Sequence, residues 1–210
     1  NVMLSNFYNR TENEKPDGIG FKIHHGPNTF VPVIVDGVLG KAQALAAGAA
    51  ACVGIIYGMN LIEISQALVD YRGSNGRLKI LKGIKNSVII DDTYNAAPAA
   101  MHLALETLRD LPAKRRIAVL GDMLELGKYS FEAHEEIGHV AGNVADIIIT
   151  VGSRGKIIAD SAEDHIMAKN SENMDRGQSV FNFPTSDSAK LEVQKIIKEG
   201  DLVLVKGSQG

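Results

Sequence analysis

Four short polar clusters stand directly after apolar runs and carry side chains able to hold a ligand. They are Asp91-Asp92, Gly121-Asp122, Gly152-Ser153-Arg154 and Lys206-Gly207-Ser208. Carboxylates in such places accept ribose hydroxyls or hold a cation. Lys and Ser hold a carboxylate or phosphate, and Gly lets a ligand approach the backbone. Each residue type is also ordinary after a strand, where it turns the chain or caps a helix. Recurrence at four strand ends points to a site without naming its ligand.

Sequence motifs narrow the chemistry. A phosphate-binding loop needs G-x-x-x-x-G-K-[ST]. Gly40-Lys41 is followed by Ala42 and has Val35 where the first Gly belongs, so the hydroxyl that would hold magnesium is missing. A dinucleotide fingerprint G-x-G-x-x-G is not supplied by Gly152-Ser153-Arg154-Gly155, which disfavours a nicotinamide enzyme. A phospho-receiver domain pairs Asp residues after its first strand with an Asp after the third and a Lys after the fifth. Asp91-Asp92 and Lys206 fit, but the third run ends in Thr150-Val151-Gly152, with no Asp to phosphorylate. His134 and His139 lie five apart on an expected helix, off a common face, and read as surface histidines without metal.

These clusters need elements to position them. From Arg77 onward, apolar runs at Val88–Ile90, Ile117–Leu120, Ile147–Val151, Val180–Phe183 and Leu202–Val205 read as strands. Several lack alternation, as parallel strands buried on both faces do. Helical stripes lie between them: Met101, Ala104, Leu105 and Leu108 after Pro98, then Ile137, Val140, Ala141 and Val144 with Ser130 expected as cap. A third, Ala189, Val193, Ile196 and Ile197, has Thr185 as cap and Gly200 as stop. Strand–helix alternation predicts an α/β fold with a Rossmann-like, mostly parallel sheet and flanking helices. In such sheets ligands bind beyond the carboxyl ends of the strands.

The first third reads differently. Gly20–Ile23 and Phe30–Val35 are strand-like around a Gly26-Pro27-Asn28 turn. Ala42 to Met59 reads as a small-residue buried helix, with its helical part from Gln43 to Tyr57. Asn60 with Glu63 forms a capping-box signature ahead of a stripe of Ile64, Ala67, Leu68 and Tyr71. Gly73-Ser74-Asn75-Gly76 is the expected boundary between two units, 1–76 and 77–210.

Composition agrees. The 210 residues hold 22 Lys and Arg against 25 Asp and Glu, a net charge of −3, so no basic stripe for nucleic acid is indicated. A single Cys, Cys52, excludes an internal disulfide and suits a reducing compartment. No uncharged apolar stretch is convincing as a membrane span, no signal peptide is visible, and both ends look cut.

The stretch Val88-Ile89-Ile90-Asp91-Asp92-Thr93-Tyr94-Asn95-Ala96-Ala97-Pro98 resembles the D-D-[ST]-Y-N-A-N-P pattern of the Mur ligase family, within it the branch that adds D-alanyl-D-alanine. Asn75-Gly76-Arg77-Leu78 resembles the family's G-R-[ML] turn. Val119 to Gly127, V-L-G-D-M-L-E-L-G, is close to that branch's own motif, and Val205-Lys206-Gly207-Ser208 is similar to its late V-K-G-S-R. The resemblance is strong from about Gly76 onward and weaker from Gly18 to Tyr71.

The resemblance implies a fold of three parts, of which this chain carries a piece of the central ATP-binding domain (1–76) and most of the C-terminal amine-substrate domain (77–210). It implies an ATP- and Mg2+-dependent amide ligase of peptidoglycan synthesis. A carboxylate of a UDP-N-acetylmuramoyl tripeptide becomes an acyl phosphate, which the amine of D-alanyl-D-alanine attacks. It implies a cytoplasmic protein whose remaining N-terminal and central domains carry the phosphate loop and most magnesium ligands. On the ATP side it implies Arg77 for phosphate, Asp92 with Asp91 for ribose, Tyr94 and Asn95 near base or ribose, and Gln43 for adenine. For the amine substrate it implies Lys206, Gly207 and Ser208 at the carboxylate, with Gly121 and Asp122 lining the pocket, while Leu124 and Leu126 read as core. Ala97 replaces the family's Asn and Gln209 its Arg, and G-x-H-N is replaced around Gly40-Lys41-Ala42-Gln43. A sister ligase using another amine, or a receiver-like or stand-alone binding domain, are the alternatives.

Overall fold

The structure, a computed structural model, describes residues 1–171 and 177–208. The N-terminal unit is an antiparallel meander, β1 (Val2–Glu12), β2 (Lys15–His25) and β3 (Phe30–Asp36), in that order. Two helices cover it, α1 (Lys41–Ile56) and α2 (Leu61–Val69). Inward residues Ile19, Phe21, Ile23, Val33 and Val35 pack on Ala44, Ala47, Ala51 and Ile64. Strand β1 has no counterpart in the sequence reading. Its register breaks between Ser5 and Tyr8, where Asn6 is left-handed, so the alternation that would reveal a strand is lost.

Asn60 closes the expected capping box: its side chain accepts from the N–H groups of Ile62 (2.9 Å) and Glu63 (3.0 Å), and Glu63 accepts from the Asn60 N–H (2.8 Å). Asn60→Ala is expected to lower stability by about 1 kcal/mol in urea unfolding. The expected stripe is corrected: Leu61 and Ile64 are buried, whereas Ala67 is exposed and Tyr71 lies beyond the helix end. The expected burial of α1 is also half right. One face packs on the meander, while Leu45, Val53, Ile56 and Tyr57 are exposed.

The second unit holds a six-stranded sheet. Its strands are β4 (Lys79–Lys82), β5 (Val88–Asp92), β6 (Arg115–Gly121), β7 (Ile147–Val151), β8 (Ser179–Phe183) and β9 (Asp201–Lys206). The spatial order is β4-β5-β9-β6-β7-β8, all parallel except β4, which pairs antiparallel with β5 at the edge. The helices are α3 (Pro98–Asp110), α4 (Ser130–Val144), α5 (Gly155–Ser171) and α6 (Ser186–Ile196).

Crossover handedness decides which face each helix covers. From β5 through β6 and β7 to β8 the chain advances across the sheet in one direction, so right-handed crossovers put α3, α4 and α5 on one face. The return from β8 to β9 reverses direction and puts α6 on the other. The cores follow: Met101, Leu105, Ile137 and Ile158 pack over Ala118, Leu120 and Leu204, whereas Val193, Ile196 and Ile197 meet Ile117, Ile149 and Val203.

Pro98 is the first residue of α3, as its fixed φ favours. Thr185 caps α6 through the Ser188 N–H (3.2 Å). Ser130, expected as a cap, is instead the first helical residue and makes no capping bond. At the amino ends of the strands Arg115 forks onto buried Asp201 at 3.0 and 2.6 Å, which pushes the guanidinium pKa above its ordinary value.

The two units meet along Gly37–Leu39, which bridges to the start of β4: the Leu39 N–H donates to Leu78 O and the Ile80 N–H to Gly37 O, both at 2.9 Å. Sheet order also disposes of the receiver alternative. Counting only the parallel strands in chain order, the arrangement is 1-5-2-3-4, whereas receiver-type sheets run 2-1-3-4-5.

Candidate functional site at the carboxyl ends of the sheet

Because β9 lies between β5 and β6, their ends stand side by side, with Asp92 paired to Lys206 and Lys206 to Leu120, next to Gly121. The Lys206 ammonium donates to Asp92 Oδ2 at 2.6 Å and to the Asn95 carbonyl at 2.8 Å. Its side chain is 2% exposed and that of Asp92 10%. This corrects the picture of Lys206 as a free donor for a substrate carboxylate. Burial makes an unpaired ammonium costly, so two of its three N–H groups are spent inside the protein.

The paired carboxylates likewise face inward. Asp92 Oδ1 accepts the Leu78 N–H at 3.1 Å. Asp91 accepts the Gly76 N–H at 2.9 Å and the Thr93 hydroxyl at 2.6 Å. Both therefore clamp the turn Gly76-Arg77-Leu78 onto β5. Gly76 sits at φ 70°, and a Cβ there would stand 2.7 Å from the Tyr94 nitrogen, so the turn admits only Gly. Between the two clamped neighbours Arg77 is exposed, its guanidinium 4.0 Å above the Tyr94 ring. Gln43 is buried and committed at both ends, donating to Arg77 O at 2.6 Å and accepting from Tyr71 Oη at 3.1 Å. A cleft of about 240 Å³ opens among Gln43, Arg77, Asp92, Asn95, Ala97 and Lys206. Thus one cleft gathers four of the six residues expected on the ATP side, with Tyr94 beside Arg77 and Asp91 behind the turn.

The amine-side residues form a second group against the first. The Ser208 N–H donates to Asp122 O at 3.1 Å, and Ser208 Oγ accepts the Leu124 N–H at 3.2 Å. The same hydroxyl lies 3.2 Å from Asn95 Oδ1. Gly121 and Gly207 cross so closely that a Cβ on Gly207 would stand 3.1 Å from the Gly121 Cα. The Asp122 carboxylate is turned away from the cleft and accepts the N–H groups of Arg154 (3.1 Å) and Gly155 (2.7 Å), at the start of α5. Leu124 and Leu126 are half-buried, and Leu126 packs against the main core. Gln209 lies outside the described residues.

His134 is the clearest correction. It is fully buried, with Nε2 2.9 Å from the Met123 nitrogen and Nδ1 2.6 Å from Ser130 O. It lies three residues before Ile137, at the start of the buried stripe that continues through Ala141 and Val144. That periodicity was the available signal. His139 is exposed and lies 3.4 Å, Nδ1 to Nδ1, from His165, whose pKa is lowered by desolvation, then by Lys169 and His139. Among the described residues no three His, Cys, Asp or Glu side chains gather as a metal site.

Comparisons with known proteins bear on the family and the fold. Residues 76–209 match the family model described as Mur ligase, glutamate ligase domain. The UDP-N-acetylmuramoyl-tripeptide–D-alanyl-D-alanine ligase of Bacillus subtilis is 30% identical over 200 residues, which are 94% of this chain and 41% of that protein. The Rickettsia prowazekii protein of the same name is 33% identical over 151 residues, 71% of this chain and 31% of its own length. The chain therefore spans less than half the length of these relatives. Among solved structures, the MurF ligase of Thermotoga maritima in complex with ADP covers 99% of this chain at TM-score 0.75 and 23% identity, a likeness of fold, the match being 43% of that chain. A MurF of Acinetobacter baumannii covers 91% at TM-score 0.74 and 25% identity, over 40% of its own chain.

Proposed function

This chain belongs to the Mur ligase family, and from that premise we propose that it is part of an ATP-dependent amide ligase of peptidoglycan synthesis. The reaction joins D-alanyl-D-alanine to a UDP-N-acetylmuramoyl tripeptide. ATP's γ-phosphoryl group passes to the tripeptide carboxylate, the dipeptide amine attacks the acyl phosphate, and phosphate leaves as the amide forms. The observation that supports this best is the convergence of three motifs in one place. D-D-T-Y-N meets V-K-G-S through Asp92 and Lys206, and V-K-G-S meets L-G-D-M-L through Ser208, Asp122 and Leu124.

In this reading residues 1–76 belong to the central ATP-binding domain and 77–210 to the amine-substrate domain. The exposed apolar face of α1 supports it. No charged residue occurs from Ala42 to Ile62, and a helix apolar on all sides is normally covered. The rest of the central domain is the proposed cover. Arg77 takes ATP phosphate, with Tyr94, Asn95 and Gln43 toward the nucleoside, and the clamped Gly76 turn is the hinge about which the second unit closes. Asp91 and Asp92 hold that turn. Gly121, Asp122, Gly207 and Ser208 present backbone groups and a hydroxyl to the dipeptide, and Lys206 braces them from below. The cleft fits part of a nucleotide, being smaller than the roughly 300–1,000 Å³ of complete small-molecule sites. Magnesium takes its protein ligands mainly outside this chain.

No described helix is long and apolar enough to cross a membrane. A cytoplasmic location follows from the proposal, since ATP and a UDP-linked substrate are found there.

Titrating the chain with D-alanyl-D-alanine tests the amine side. At about 10 mM dipeptide, amide resonances of residues 121–124, 207 and 208 are expected to shift, consistent with a Kd near 1 mM. L-alanyl-L-alanine is expected to leave them in place. Shifts confined to other regions, or equal shifts with both dipeptides, contradict the assignment.

A further inference from the structure

We infer that His134 is a positioning residue for the amine-substrate side of the site, acting through the Asp122-Met123-Leu124 turn as a neutral imidazole with its proton on Nδ1. The inference rests on the ligase reading above for what the turn is used for, and on geometry alone for how the turn is held.

The tautomer follows from the partners. A backbone N–H can only donate, so Nε2, 2.9 Å from the Met123 nitrogen, is the acceptor and carries no proton. A carbonyl oxygen can only accept, so Nδ1, 2.6 Å from Ser130 O, is the donor. The ring thereby ties the first turn of α4 to the loop after β6. The loop runs on from there into the site. Leu124, next in the chain, donates its N–H to Ser208 Oγ at 3.2 Å, and Asp122, one residue earlier, accepts the Ser208 N–H at 3.1 Å. Met123, between them, is fully buried in the main core. Without an acceptor for its N–H, a buried amide would be left unpaired, and the cheapest relief is for the turn to move away from Ser208. His134 itself is enclosed by protein and touches no substrate, so its effect is indirect.

Two variants separate positioning from mere packing. In His134→Gln the side-chain oxygen can take the place of Nε2 as acceptor. In His134→Asn the amide reaches only to the place of Nδ1 and leaves Met123 unpaired. Amide hydrogen exchange on the chain without substrate is the first readout. Met123 and Leu124 are expected to exchange about tenfold faster or more in the Asn variant and near the wild-type rate in the Gln variant. Long-range nitrogen–proton spectra of the wild type are expected to show a protonated Nδ1 and a bare Nε2. The second readout is steady-state kinetics of the full-length polypeptide with whichever amine the wild type accepts. The Asn variant is expected to raise KM for the amine about tenfold with KM for ATP within about twofold, and Gln to restore most of it.

A protonated Nε2, unchanged Met123 exchange in the Asn variant, or equal loss of all parameters in both variants overturns the inference. Because exchange and tautomer are read without substrate, a wild type that prefers an amine other than D-alanyl-D-alanine defeats the ligase reading alone. The positioning claim is then scored on exchange, tautomer and that other amine.

Discussion

Lys206→Met is expected to lower folding stability by about 3–5 kcal/mol, the cost of leaving a buried charge without its partner. The partner is Asp92, whose Oδ2 receives the ammonium at 2.6 Å in a place where both side chains are almost closed to solvent. Removing the ammonium also strips the Asn95 carbonyl of a donor at 2.8 Å. The damage extends to the site, because Asp92 Oδ1 holds the Leu78 N–H beside Arg77. Asp92→Asn is expected to be costly too, because the buried Lys206 ammonium loses its counter-charge and one of the two donors now faces an amide NH2 instead of an acceptor. The double variant Asp92→Asn/Lys206→Met should be less destabilised than the two single losses added, because the pair is lost once. Urea unfolding of the four proteins measures this. Strict additivity, or a Lys206→Met loss below about 1 kcal/mol, would show that the pair is a surface-like contact of small worth.

The second large effect concerns catalysis. Arg77→Ala in the full-length polypeptide is expected to lower kcat about 10²–10³-fold, the range for removing one preorganised donor from developing charge. Its position argues for this role: Gly76 and Leu78 are pinned by Asp91 and Asp92, yet Arg77 itself is exposed at the mouth of the cleft, stacked on Tyr94. A side chain held rigidly at its base, with an exposed guanidinium resting over a ring, is set for an anion that arrives from outside. Arg77→Lys should recover little, because an ammonium lacks the planar fork and the stacking face. Stability should change by no more than about 0.5 kcal/mol, as for exposed residues generally. A variant that loses stability but keeps kcat would move Arg77 from the chemistry to the hinge.

Much of the second unit was legible because its central strands β6, β7 and β9 are largely buried on both faces. Runs such as Ile147–Val151 are short and β-branched, which marks a buried strand, and Pro98 and Thr185 mark helix starts by their own chemistry. What stayed hidden had a physical cause in each case. Edge strand β4 is four residues with two lysines, the sequence of an edge rather than a core strand. Helix α5 carries its apolar stripe on Ile158, Ala162 and Ile166, diluted by five acidic or basic residues from Lys156 to Asp164 and Lys169. The site was legible as a set of motifs, not as a set of bonds. Sequence placed Asp92, Lys206, Asp122 and Ser208 at the carboxyl ends of strands. It did not show that Asp92 and Lys206 satisfy each other, because β9 enters between β5 and β6 only through the reversal at β8. His134 reads as a surface residue when paired with His139, five positions away, whereas its spacing to Ile137 and Ala141 places it inward.

The central claim is most directly tested by turnover. The full-length polypeptide, given ATP, a UDP-N-acetylmuramoyl tripeptide and a panel of amines, is assayed for phosphate release and for the mass of the amide product. The account predicts that D-alanyl-D-alanine alone drives both, with one phosphate released for each dipeptide joined. Release that ignores D-alanyl-D-alanine and answers to another amine would contradict it.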